Sequence, residues 1–193
     1  MSTMLDDAAQ RIADLSRRLR PSINRTATLA ELDEIFRASR VPDPPPSGFH
    51  AGRLVTLAIW GPSDASVNRL GDVWMPWLGK SFDAAASTGL NVLTATARAP
   101  MRLLWPSYVP LGQEGDRLDV FPFRTSVGPG AADPDVTVLN IDYDFEANPS
   151  FIIRRVLDQV VEVSDGLLLG KIFFRLGGAR RPIGFFTLQR PPA

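Results

Sequence analysis

Asp142-Tyr143-Asp144 is the most suggestive chemical spacing in the chain. On a strand, side chains two residues apart leave the same face, so the two carboxylates would stand side by side. Such a pair could hold a divalent cation or share a proton. It could also pair with Arg154 or Arg155, which follow after the turn signal Asn148-Pro149. The spacing favours this ion-paired, structural role, with each carboxylate meeting an arginine or backbone N–H groups near the turn. His50, the sole histidine, is a weak third candidate for acid–base work. One imidazole cannot build a catalytic triad or a multi-histidine metal site within one chain. No metal site is expected, and no cofactor.

Further on, Arg154, Asp158 and Glu162 share parity with Val156 and Val160. If that face looks inward, an arginine could hold a carboxylate head by paired hydrogen bonds within an apolar enclosure. Trp60, Trp74, Trp77 and Trp105 offer large apolar surfaces with one polar N–H each, suited to a core or to the wall of a pocket. Phosphate loops, nucleophile elbows and zinc spacings are missing from the sequence.

These groups need elements to position them. Leu5, Ala8, Ala9, Ile12, Leu15 and Leu19 recur at helical spacing, which predicts a helix over Met4 to Leu19, ended by Pro21. Thr28 and Glu31 fit a capping box opening a second helix that runs to about Arg40. Val41-Pro-Asp-Pro-Pro-Pro-Ser-Gly48 then reads as a stiff extended linker. Beyond it, nine segments read as strands: Phe49–Trp60, Val73–Phe82, Leu90–Arg98, Met101–Trp105, Leu118–Ser126, Val136–Phe145, Phe151–Val163, Leu167–Arg175 and Ile183–Gln189. Asp165-Gly166 is a tight-hairpin signal. No helical period separates the strands, which argues against parallel βαβ units. The expectation is a mainly β fold: an antiparallel barrel of about nine strands (residues 48–193) behind a helical arm and Pro-rich linker (residues 1–47). A sheet of this size closes or folds into two layers to remove its edges.

The 193 residues carry 21 basic and 21 acidic side chains and no cysteine. Charge balance removes the broad basic field of a nucleic-acid binder, and no apolar run is long enough to span a bilayer. Disulfides and thiolate metal sites are excluded. A cytoplasmic location is expected, because the first twenty residues carry no signal-peptide pattern. Only two of the basic residues are lysines, Lys80 and Lys171, and they sit in matching contexts, Trp77-Leu-Gly-Lys80 and Leu168-Leu-Gly-Lys171.

Gly48-Phe-His-Ala-Gly-Arg-Leu54, Trp74-Met-Pro-Trp-Leu-Gly-Lys-Ser-Phe82, Asp142-Tyr-Asp-Phe-Glu-Ala-Asn-Pro149, Arg154-Arg-Val-Leu-Asp158 and Leu168-Leu-Gly-Lys171 occur in that order. Together they resemble an uncharacterised family of bacterial lipocalin-like β-barrel proteins, over roughly Leu29 to Gln189. The resemblance implies a small barrel with a central cavity. One expectation is therefore the binding of a small apolar or amphipathic ligand, lipid-like and with an acidic head as one option, lined by Trp77, Lys80, Arg98, Arg124, Tyr143 and Arg154. Two alternatives stand beside it. One is a small-molecule enzyme on the same barrel, using Asp142 and Asp144 or His50. The other is an interaction module in which the N-terminal helices dock a partner or a second copy.

Overall fold

In the computed structural model, residues 7, 10–15, 17, 25–57 and 76–191 are described. Nine strands follow one another: β1 (Gly48–Leu57), β2 (Trp77–Asp83), β3 (Thr88–Thr94), β4 (Gly112–Glu114), β5 (Arg117–Pro129), β6 (Thr137–Asp142), β7 (Val156–Ser164), β8 (Leu167–Leu176) and β9 (Ala179–Gln189). All pair antiparallel in the order β3-β2-β1-β9-β8-β7-β6-β5-β4, and β3 also pairs with β5. That last pairing closes eight strands into a barrel and leaves β4 as a short addition along β5. The mainly β, antiparallel expectation holds, and the closed sheet has no free edge among the eight. Asp165-Gly166 does form the two-residue connection between β7 and β8, with Gly166 at φ 73°, a conformation open to glycine at little cost.

The structure departs from the expected strands in several segments: Ala95–Ala97 is a 3₁₀ turn where the third strand was expected to run on to Arg98, and Gly112–Glu114 forms β4 outside any expected strand. Met101–Trp105 is not a strand. Arg98–Leu104 is a short helix, labelled α2, with α1 being Arg25–Ala38. Seven residues are too few to show a 3.6-residue period, and Pro100 is tolerated because first-turn N–H groups need no helical partner. Phe151–Arg155 is also not strand: it is turn and 3₁₀ helix, and β7 begins at Val156. In addition, α1 starts at Arg25, so Thr28 lies inside the helix, buried, and not at its cap. Trp60 and Trp74, with the Gly61-Pro-Ser-Asp64 breaker and parts of the first predicted helix, lie outside the described residues.

Both faces of the sheet bury apolar side chains. Inside the barrel, Phe82, Leu93, Leu118, Phe123, Ile141, Val160, Leu168, Phe186 and Leu188 form one cluster, joined at one end by Met101 and Trp105 from α2 and the residue after it. Outside, Val55, Val138, Val161, Leu169 and Phe185 form a second cluster with Leu32 and Phe36 of α1 and with Ile12 and Leu15 of the N-terminal helical stretch. The apolar faces expected to serve a partner are thus turned onto the outer wall of the barrel. Lys171 ties this seam. Its Nζ lies on the same outer face, 2.7 Å from Asp33 of α1 and 2.9 Å from Asp133 of the β5–β6 loop. Arg37 adds a 2.6 Å bond to Asp133. Burial alone would raise the Asp133 carboxyl, but the hydrogen bonds from Lys171 and Arg37 outweigh it and hold the group below the usual aspartate range.

A polar centre inside the barrel

The two matching Leu-Gly-Lys segments place their lysines on opposite sides of the sheet. Lys171 of β8 points outward, and Lys80 of β2 points into the barrel, where it is 2% exposed. A lone ammonium there would be very costly, so its surroundings must answer the charge. Asp158 of β7 does so at 2.9 Å. Asn91 of β3 accepts a second bond from Nζ at 3.0 Å, and the Tyr143 hydroxyl accepts a third. The same groups then bond one another. Asn91 Nδ2 donates to Tyr143 OH at 2.9 Å, Tyr143 OH donates to Asp158 Oδ2 at 3.1 Å, and Trp77 Nε1 donates to Asn91 Oδ1 at 3.1 Å. One valence stays open: Asp158 Oδ1 is enclosed and has no hydrogen-bond partner.

Aromatic rings surround this centre. The Lys80 ammonium stands 5.3 Å from the Trp77 ring centroid, 5.5 Å from Phe123, 5.0 Å from Tyr143 and 5.3 Å from Phe186. These distances suit attraction between a cation and ring faces. Three of the rings need bare backbone beneath them. A Cβ on Gly52, Gly89 or Gly170 would collide with Trp77, Phe123 or Phe186 respectively. Glycine–aromatic cross-strand pairs, Gly89 opposite Phe123 and Gly170 opposite Phe186, therefore set the cage in place. Desolvation pushes the Lys80 amine below the ordinary lysine range, against the opposing pull of Asp158. Desolvation, reinforced by the Asp158 charge, holds the Tyr143 hydroxyl well above the ordinary tyrosine range.

Of the residues read from the sequence as ligand-lining, the fold brings Trp77, Lys80 and Tyr143 together in this centre. The other three lie elsewhere. Arg98 is on α2, where it bonds the Gln113 side chain. Arg124 is exposed and stacks on Phe145 at 4.3 Å. Arg154 lies in the 3₁₀ turn before β7, on the rim, and bonds Asp144 at 2.8 Å. Asn91 and Asp158 complete the centre. In the sequence Asp158 shows only as part of a polar stripe, and the one signal for Asn91 is its place on a strand opposite the Trp77–Lys80 segment.

The Asp142–Asp144 pair and His50 have ordinary structural surroundings. Asp142 Oδ1 accepts from the Asp144 backbone N–H at 2.9 Å. Asp144 meets Arg154 at 2.8 Å and Arg175 at 3.5 Å, and the Arg154 hydrogen bond is the main reason its carboxyl sits below the usual range. Half-exposed pairs of this kind are screened by water, so Asp144→Asn is expected to cost under about 1 kcal/mol in urea unfolding. A loss several times larger would show that the rim pairs hold the turn together. Among the described residues, no group of three or more His, Asp or Glu side chains is arranged to hold a metal ion.

His50 is 1% exposed, stands edge-on to Phe82 at 5.4 Å, and has Nδ1 3.3 Å from Gly48 O. Burial lowers its pKa, more than the Gly48 contact raises it. Because the folded value is depressed, His50 contributes stability that is present above about pH 6.5 and lost as pH falls through the folded pKa. The urea midpoint should therefore drop between pH 8 and pH 5, and His50→Leu should flatten that slope. An unchanged slope in the variant would assign it to other groups.

The fold and its interior define a class: a closed eight-stranded antiparallel barrel with a charged, aromatic-caged centre. No protein-family model matches the chain, and no curated protein matches it. A solved structure, described as the crystal structure of a protein from Thermomonospora curvata, is similar over 96% of this chain and 99% of its own, with a TM-score of 0.52 and 19% identity. At that identity the likeness shows a shared fold alone. No helix among the described residues is long and apolar enough to cross a membrane.

Proposed function

We propose that this chain is a lipocalin-like binding protein whose barrel receives a small apolar or amphipathic molecule, with the ligand's polar end at the Lys80–Asp158 centre. The observation that carries this reading is the centre itself: a charged pair and three further polar side chains set in an aromatic lining. An apolar core would fill the same space without the desolvation cost of two ions.

The open valence narrows the ligand. Asp158 already matches the Lys80 charge, so an acidic head would bring an unanswered negative charge into a closed site. A hydroxyl, amide or amine head instead offers a donor to Asp158 Oδ1. This favours a donor-bearing head over the acidic head that the sequence left open. On this reading residues 48–193 form the binding domain, residues 1–47 clamp its outer wall, and the protein works in the cytoplasm.

The experiment begins with native mass spectrometry of the purified protein, where a retained small molecule is expected. Titration with dodecanol and dodecanoate follows, read by tryptophan fluorescence, since Trp77 belongs to the centre. Saturable binding stronger for the alcohol, and lost in a Lys80→Met/Asp158→Leu variant that remains folded, supports the reading. Absence of a retained mass together with no saturable response to either probe overturns it and makes the centre a structural core.

A further inference from the structure

A concavity lies outside the barrel interior, at the end where α2 sits. It has a volume of about 350 Å³ and lies between the 104–108 segment after α2 and the 147–151 loop before β7. Leu104, Trp105, Tyr108 and Phe151 supply apolar walls, and Asn148 and Ser150 supply polar ones. None of Lys80, Asn91 or Asp158 lines it.

The cleft is held in shape by specific bonds. Trp105 Nε1 donates to Phe151 O at 3.1 Å, which links the two walls. Tyr108 stacks on Phe121 at 5.0 Å, and its hydroxyl accepts the Phe121 backbone N–H at 2.6 Å. Two of the three described non-glycine residues with positive φ border it: Phe121 at 49° beneath Tyr108, and Ile152 at 74° next to Phe151. Backbone held in such conformations clusters at ligand clamps, because the surroundings must over-determine it.

Asn148 is buried in the wall. Its Nδ2 donates to Pro122 O at 2.7 Å and to Tyr143 O at 2.9 Å, so two carbonyls fix which way the amide is turned. Its Oδ1 is enclosed and has no partner. An enclosed acceptor without a donor is uncommon and calls for one. Above it, Phe151 is 61% exposed, and Leu103 and Val109, which bracket the 104–108 wall, are 77% and 74% exposed. Apolar side chains gathered around a concavity are the usual dress of a ligand site.

We propose that this cleft is a second binding site, for a flat aromatic ring bearing a hydrogen-bond donor. The ring lies against Trp105, Tyr108 and Phe151, and the donor meets the polar wall that Ser150 and Asn148 supply. It rests on observations separate from those that support ligand binding at Lys80.

The test uses 2-naphthol and 2-methoxynaphthalene, which share a ring system and differ in the donor. They are titrated into the ¹⁵N-labelled full-length protein while the indole N–H resonances of Trp105 and Trp77 are followed. The expected result is a saturable shift at Trp105 with none at Trp77, and binding of the methoxy compound weaker by about tenfold or more, the worth of one hydrogen bond. Ser150→Trp, on an exposed wall position, should abolish the shift with the spectrum otherwise intact. Phe151→Ala, also exposed, should weaken binding and serves if Ser150→Trp does not fold. The Lys80→Met/Asp158→Leu variant should bind 2-naphthol as the parent does. A shift confined to Trp77, equal binding of both probes, or binding unaffected by either cleft variant overturns the proposal.

Discussion

Replacing Lys80 with methionine is expected to cost about 3–5 kcal/mol in urea unfolding, the usual penalty for stranding one member of a buried ion pair. Methionine fills much of the lysine stem's volume, so packing alone predicts a far smaller loss. What remains is Asp158, 5% exposed, with Oδ1 already unpartnered and its remaining contact the Tyr143 hydroxyl. Tyr143 and Asn91 lose the ammonium as well. The second arm is Lys80→Met combined with Asp158→Leu, which removes both charges and should recover most of the loss. A single variant within about 1 kcal/mol of the parent would mean that water reaches the centre freely, because a solvated pair is worth no more than that. Failure of the double variant to recover would shift the weight from the charges to the Asn91–Tyr143 bonds.

Phe36→Ala is expected to cost a similar amount, about 3–5 kcal/mol, although Phe36 lies on a helix that precedes the barrel. Its ring is 1% exposed in the outer cluster and stands 4.5 Å from the Lys171 ammonium. The deletion therefore opens a cavity and removes a cation–ring contact. It also weakens the seam through which Lys171 reaches Asp33. Urea unfolding measures the total, and hydrogen exchange across residues 25–38 shows where the loss falls. A global midpoint that does not move, with exchange accelerated only in α1, would make the helix a separable clip and not part of the barrel's cooperative unit. Lys171→Met should cost less than Lys80→Met: Asp133 keeps Arg37 at 2.6 Å, and Asp33, with its side chain 38% exposed, can turn to solvent.

The alternating segments and turn residues announced the meander, because period-two patterning and Gly or Asn-Pro breakers are local properties. Which side chains share the interior is not local. Lys80 and Lys171 follow the same Leu-Gly dipeptide, yet one is inside the barrel and the other outside. Parity along a strand holds only until a bulge, and the register shifts between Leu54 and Thr56, Trp77 and Gly79, Leu90 and Asn91, Glu162 and Ser164, and Ile172 and Phe173. Each shift can exchange the faces beyond it. Trp77 and Lys80 reach the same interior across one of these shifts, a union that strict alternation forbids. Arg154 fails for another reason: the strand that would have carried it inward begins two residues later, at Val156. The rim pairing of Asp144 with Arg154 was legible because it depends only on the length of the intervening turn.

The seam between β1 and β9 joins residues at opposite ends of the barrel's sequence, with Ala51 opposite Gln189. Every other seam of the barrel links strands that are successive, or nearly so, along the chain. Loop-closure entropy makes the β1–β9 seam the most expensive to assemble. It therefore acts as the lock of the fold. Trp77 and Phe186, two rings of the Lys80 cage, meet edge to face at 5.5 Å from strands on either side of it, so the cage is completed only when the cylinder is.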